Sequence, residues 1–163
     1  MEVELQRVAY EEKGILRNLL EFYLYELSEY LDSLELNPYG QFEYRMLDHY
    51  WTDSSRHPFF IRESGKLAGL VLVREWERAP DQPVTWLMAE FFILRKYQKL
   101  GIGRSAAFKT FDRFPGRWIV SQIEHNAAAR AFWNKIVAEY TNGVFQSIQF
   151  GNQPAQHFEV KAK

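Results

Sequence analysis

The segment Gln98-Lys-Leu-Gly-Ile-Gly-Arg104 lies between an apolar run and a helix-patterned run, and it restricts the fold more than any other stretch. Ahead of it, Trp86 to Leu94 is aromatic and aliphatic, the pattern of a buried strand. Behind it, Ala106, Ala107, Phe108, Thr110 and Phe111 recur at helical spacing between Arg104 and Phe114. Two glycines at such a junction allow a turn in which backbone N–H groups converge. A helix N-terminus carries about half a positive charge and several unpaired donors, so the junction suits an anion such as a phosphate. The same glycines also serve a plain turn and helix start.

The rest of the composition narrows the classes open to the chain. Its 163 residues suit one domain, residues 1–163, with a real core. Hydrophobic residues make up 47%, which argues against disorder. A net charge of −1 gives no bulk attraction to nucleic acid or to an anionic membrane. Without cysteine there is no disulfide, thiolate metal site or cysteine nucleophile, and the four histidines lack metal-ligand spacing. The N-terminus shows no basic region followed by an apolar one, and no apolar stretch is long enough to span a bilayer, so a cytoplasmic protein is expected. Charge is uneven: acids outnumber bases from Glu11 to Asp53, and bases outnumber acids from Arg95 to Trp118. The basic stretch coincides with the glycine loop.

Periodicity predicts a strand over Val3 to Val8, a long helix from Glu11 to about Leu34, and a second helical stretch from Phe42 to Trp51. Phe59 to Glu63 and Leu67 to Glu77 read as a hairpin across Ser64-Gly65-Lys66. After the loop and its helix come a strand over Trp118 to Glu124 and a helix over Asn126 to Ala138. Two closing strands follow, about Tyr140 to Phe150 and Ala155 to Val160. The pattern is that of one mixed α/β domain.

Gly101-Ile-Gly103-Arg-Ser-Ala106 also fits the dinucleotide fingerprint, with Glu124 placed to hold a ribose. Against that reading, Arg95 to Leu100 separate strand from glycines, only one βαβ unit remains, and the front half is a hairpin. The downstream run Asn126-Ala-Ala-Ala-Arg-Ala-Phe-Trp133 adds a second motif. Together, Gln98-x-x-Gly101-x-Gly103 and Asn126-x-x-Ala129-x-x-Phe132, with this order of elements, resemble the GCN5-related N-acetyltransferase (GNAT) superfamily. The resemblance implies a mixed, mostly antiparallel central sheet of about six to seven strands flanked by about four helices, an α/β (α+β) fold. It implies acetyl-CoA as co-substrate and a small-molecule or peptide amine as acceptor. Homodimers are common among proteins of this resemblance. It further implies that backbone groups of Phe92, Ile93 and Leu94 pair with the pantetheine amides as an added half-strand would. Backbone N–H groups of Gln98, Lys99, Leu100, Gly101, Ile102, Gly103 and Arg104 are then expected to hold the pyrophosphate. Lys99 and Arg104 add charge, Ser105 adds a hydroxyl, and Asn126, Phe132 and Trp133 lie beside the pantetheine arm.

Acetyl transfer to an amine requires a neutral amine, a stabilised carbonyl oxygen and a protonated leaving thiol. Glu90, the only acid in the strand before the loop, is the candidate base. Its other reading is a structural side chain on the strand's polar side. N–H groups near Phe92 to Leu94 are placed to polarise the carbonyl. The family commonly carries a tyrosine acid after the phenylalanine of the second motif, and here that position is Trp133, whose indole is not a usable acid. Tyr140, about two helical turns on, is the remaining candidate, with packing at the helix end as its other use. The expected activity is direct N-acetyl transfer without a covalent enzyme intermediate. The alternative is a coenzyme A-binding sensor or partner-binding module that has lost catalysis. The acids of the first helix cluster away from its leucine arc, which favours a solvated face over a cationic-substrate site.

Overall fold

A computed structural model describes residues 1–163. Seven strands form one sheet in the order β1-β2-β3-β4-β5-β7-β6. They are β1 (Val3–Arg7), β2 (Arg56–Glu63), β3 (Lys66–Glu77), β4 (Thr85–Ile93), β5 (Gly116–Ser121), β6 (Gln146–Phe150) and β7 (Gln153–Val160). Helices α1 (Lys13–Leu27), α2 (His49–Thr52), α3 (Ile102–Arg113) and α4 (Ala127–Thr141) complete the fold, with 3-10 turns at Tyr10–Glu12 and Arg95–Tyr97. Every pairing is antiparallel except β4 with β5. This is the expected mixed, mostly antiparallel sheet with flanking helices.

Strand alternation sends side chains to two cores. On one face Phe59, Ile61, Val71, Val73, Met88, Trp118 and Val120 pack with α3 and α4, around Phe111, Trp133 and Ile136. On the other, Phe60, Leu70, Leu72 and Phe92 meet Leu16, Leu19 and Leu20 of α1, and Tyr50 of α2. Several buried aromatics on the first face touch edge to face, including Phe111 with Trp118 and with Phe158 at 5.1 and 5.0 Å between ring centroids.

Two helices are shorter than periodicity predicts. α1 ends at Leu27 although Leu31 and Leu34 continue its apolar spacing. There Ser28 turns its hydroxyl back onto the Tyr25 carbonyl at 2.6 Å, a local bond that competes with further helix. Of the stretch Phe42 to Trp51, only the end is helical, in the four-residue α2. At the other end of the chain, α4 runs on through Thr141 and stops at Asn142, which takes the left-handed conformation and leaves only Gln146–Phe150 for β6. Periodicity assigns Tyr140 to Asn142 to that strand instead, because aromatic and β-branched residues suit either element.

Two irregularities set up the site. Leu72 pairs with Glu90 but Val73 with Met88, so Ala89 is an extra residue bulged out of β4. β4 then pairs with β5 only from Thr85 to Leu87, and past that point the two strands part. The upper half of β4 is held by β3 alone. There a Cβ on Gly69 would overlap the carbonyl oxygen of Phe92, so glycine is required for the two backbones to approach. Gly69→Ala should therefore lower stability by about 2–3 kcal/mol, read as a shift in the denaturant midpoint with little change in slope.

Candidate functional site

The parted strands leave a cleft of about 260 Å³. β4 supplies Met88 to Phe91, the end of β5 and the residues just after it supply Val120 to Ile123, and α4 with its cap supplies Asn126, Ala129 and Trp133. Tyr23, Leu27 and Leu31 close it from the α1 side, and Gln153 from the start of β7.

Glu90 lies on this cleft with its carboxylate toward α1, where the Tyr23 hydroxyl donates to Oε1 at 2.9 Å. The carboxylate retains some solvent contact through the cleft, but protein surrounds it so densely that the loss of water dominates its titration. Burial pushes its pKa from the ordinary carboxylate range up to about 7, and the phenols of Tyr44 and Tyr23 pull the other way. A group poised there can take and release a proton at neutral pH. Tyr23 itself is pushed up, first by burial and then by the negative charge and hydrogen bond of Glu90. It stays a neutral donor.

The backbone of β4 is the second component. The N–H of Leu94 donates to the Ala68 carbonyl at 2.8 Å, so Leu94 continues the β3 ladder. Alternation assigns Phe92 and Glu90 to the same side and turns the N–H groups of Phe91 and Ile93 toward the parted β5, where no strand meets them. Of the expected set, Ile93 turns its N–H away from β3, as Phe91 does, whereas the N–H groups of Phe92 and Leu94 face β3. The register that reveals this depends on the bulge at Ala89, which sequence does not show.

The glycine loop is the third component. Lys99 and Gly101 both have positive φ, 61° and 83°, and Gly101 is the residue before α3. The N–H groups of Lys99 through Arg104 have no backbone acceptor, whereas Gln98 N–H bonds to Arg95 at 3.1 Å and Ser105 N–H to Gly101 at 3.1 Å. The expected cradle of Gln98 to Arg104 thus loses Gln98. That residue acts through its side chain instead, donating from Nε2 to the Ile93 carbonyl at 2.8 Å and tying the loop to the end of β4. Gly103 is buried, and a Cβ there would meet the Phe132 ring at 3.2 Å, so it lets α3 approach α4. Leu100 is exposed and Ile102 is buried. Arg104 stacks on Phe108 at 4.3 Å and bonds Glu139 at 2.7 Å, which leaves Lys99 as the exposed loop cation without an ion pair.

In the second motif, Asn126 caps α4 by accepting the Ala129 N–H at 3.1 Å. Phe132 packs on Phe91 and on Trp133, and Trp133 is buried between Phe91 and Phe111. Tyr140 does not join Glu90. Its hydroxyl bonds Asp112 at 2.7 Å, and its ring packs on Phe108 and Phe111, beside a separate groove. The helix that was expected to end before Tyr140 continues through it and carries it to the far end of α4. Burial and the Asp112 carboxylate both raise its pKa, so it is a poorer acid than a free phenol.

Other aromatics scatter. Tyr39 is exposed, Trp51 bonds the Val8 carbonyl, Trp76 packs on Phe150, and Trp86 is in the core with Nε1 on the Pro115 carbonyl. Beneath the cleft, Gln122 and Gln156 exchange side-chain amide bonds at 2.7 and 3.1 Å, and Gln156 reaches Asn134 at 2.8 Å, linking β5, β7 and α4. Tyr23 carried one usable sequence signal: a phenol on a leucine stripe needs a hydrogen-bond partner.

A model of the acetyltransferase (GNAT) family matches residues 16–137. No curated protein matches the chain. Among solved structures, an acetyltransferase from Thermus thermophilus is 19% identical, with a TM-score of 0.68 over 96% of this chain and 95% of that one. The PaiA N-acetyltransferase of Thermoplasma acidophilum, in complex with coenzyme A, is 10% identical, with a TM-score of 0.61 over 98% and 99%. A spermidine N-acetyltransferase SpeG chimera from Vibrio cholerae and hSSAT is 14% identical, with a TM-score of 0.59 over 99% and 96%. At these identities the likeness is one of fold.

Because the native pKa of Glu90 exceeds its unfolded value of 4.5, the carboxylate leaves folding unpenalised below that pH and costs stability as pH rises through about 7. Glu90→Gln should remove that cost. The stability gap between pH 5 and pH 8 should narrow by on the order of 1–3 kcal/mol in urea titrations.

Proposed function

The chain belongs to the acetyltransferase (GNAT) family, and on that premise we propose that it transfers an acetyl group from acetyl-CoA directly to an amine, with Glu90 as base. The observation that carries the proposal is the position of Glu90, a carboxylate titrating near 7 on the cleft beside β4 backbone groups that β5 does not pair.

The residues fit acetyl-CoA as co-substrate. Lys99 to Arg104 offer convergent N–H donors at the start of a twelve-residue helix, with the Lys99 ammonium beside them. Phe91 and Ile93 offer an open strand edge to a pantetheine arm, whose amides pair as an extra strand would. The thioester supplies an electrophilic carbonyl and a good leaving group. The coenzyme A in the Thermoplasma protein of the same fold supports this ligand.

Glu90 draws a proton from the arriving ammonium, directly or through one water, and leaves the amine lone pair free. The outward N–H groups of β4 stabilise the oxyanion as the C–N bond forms. Collapse breaks the C–S bond. The proton shed by the attacking nitrogen goes to the departing sulfur, whose thiol pKa of about 8.5 makes it a ready acceptor. Atoms and charge balance without a dedicated acid, so tryptophan at position 133 does not prevent turnover. Tyr23 is a positioning residue that orients the carboxylate.

Three outcomes test the proposal. The kcat/KM should fall below pH 7 with unit slope. Glu90→Gln should flatten that limb and lower turnover about 10²- to 10³-fold, while calorimetric affinity for acetyl-CoA stays within a factor of about two. Lys99→Glu should weaken acetyl-CoA binding by about tenfold or more, with the loss shrinking at high salt. Binding without thiol release for any amine would instead make the protein a coenzyme A sensor.

A further inference from the structure

We propose that the acceptor is a small primary monoamine on an apolar body, with no second charge; the inference rests on the transferase reading above. Glu90 is the only ionisable carboxylate on the cleft, and no Lys, Arg or His lines it. The acceptor side is walled by Leu27 and Leu31 from the end of α1 and by Ile123 just past β5, with Tyr23 and Gln153 as neutral polar contacts.

One carboxylate balances one ammonium. A second ammonium on the same molecule would rest against leucine with no counter-charge, and burying an unpaired charge is costly. An acceptor carboxylate would fare no better, having Glu90 nearby and no cation to meet. An apolar body instead gains from covering Leu27, Leu31 and Ile123. The cleft volume of about 260 Å³ falls below the roughly 300–1,000 Å³ of drug-sized pockets, so the body is small.

The acids of α1 and its following turns are engaged elsewhere or exposed, as the solvated-face reading of the sequence expects. Glu21 accepts the Phe42 N–H at 2.8 Å and pairs with Arg17. Glu26 holds Arg95 at 2.9 Å. Glu29, Asp32 and Glu35 are exposed, and none of the five lines the cleft.

The test compares hexylamine with the same six-carbon chain bearing a second terminal amine, each with acetyl-CoA and the full-length protein, by thiol release. The expected kcat/KM favours hexylamine by about tenfold or more. Equal or reversed preference overturns the inference while leaving the transferase reading in place. Leu27→Asp, confirmed folded by its thermal melt, should move the ratio toward the diamine by about tenfold, and an unchanged ratio overturns the assignment of this wall. If acetyl-CoA binds by calorimetry and neither amine nor 2-phenylethylamine releases thiol, the transferase reading falls and this inference with it.

Discussion

The parting of β4 from β5 after three paired residues is the constraint on which the rest depends. A continuous ladder there would pair the outward edge of β4 at Phe91 and Ile93 with β5 and seal the cleft. The bulge at Ala89 re-aims β4, and the parallel partner turns away toward α4. Unpaired strand edges are usually costly or hazardous. Here the edge is interior, flanked by α1 and α4, so it is shielded from pairing with other chains yet open to a slender ligand.

Glu90 shows how that geometry acquires chemistry. A carboxylate on a fully exposed strand would titrate near 4.5, and one buried without donors would stay protonated across the physiological range. Cleft burial raises it, and the phenols of Tyr44 and Tyr23 limit the rise. The two effects leave it where a small change in surroundings shifts its proton occupancy. A ligand that expels water from the cleft alters the same balance.

Much of the fold was legible because period and punctuation agreed. The runs at Leu67 to Glu77 and Trp86 to Leu94, the turn at Ser64-Gly65, and the Asn126 cap each carry a local signal that tertiary contacts reinforce. The early end of α1 was hidden because Leu31 and Leu34 keep helical spacing without helical backbone. The site was legible in outline. Glu90 stood out as the one acid in an apolar strand. Phe91 did not, because which amides face outward depends on the register against Gly69 and on the bulge, and both are set by tertiary contacts. Of the two uses open to Tyr140, packing at the helix end is the one the structure shows, and only the helix length is missed, because α4 runs past its apolar pattern.

The Gln98 amide on the Ile93 carbonyl has a consequence beyond local order. Loop and strand end are fastened at one point, which ties the position of the glycine loop to that of Glu90. Their separation behaves as a ruler. On the proposed reading, a molecule with the right phosphates but too short an arm would seat at the loop and never bring its far end to the carboxylate. On that same reading, binding and reaction would be graded by length, and an occupant of the loop alone would compete without being consumed.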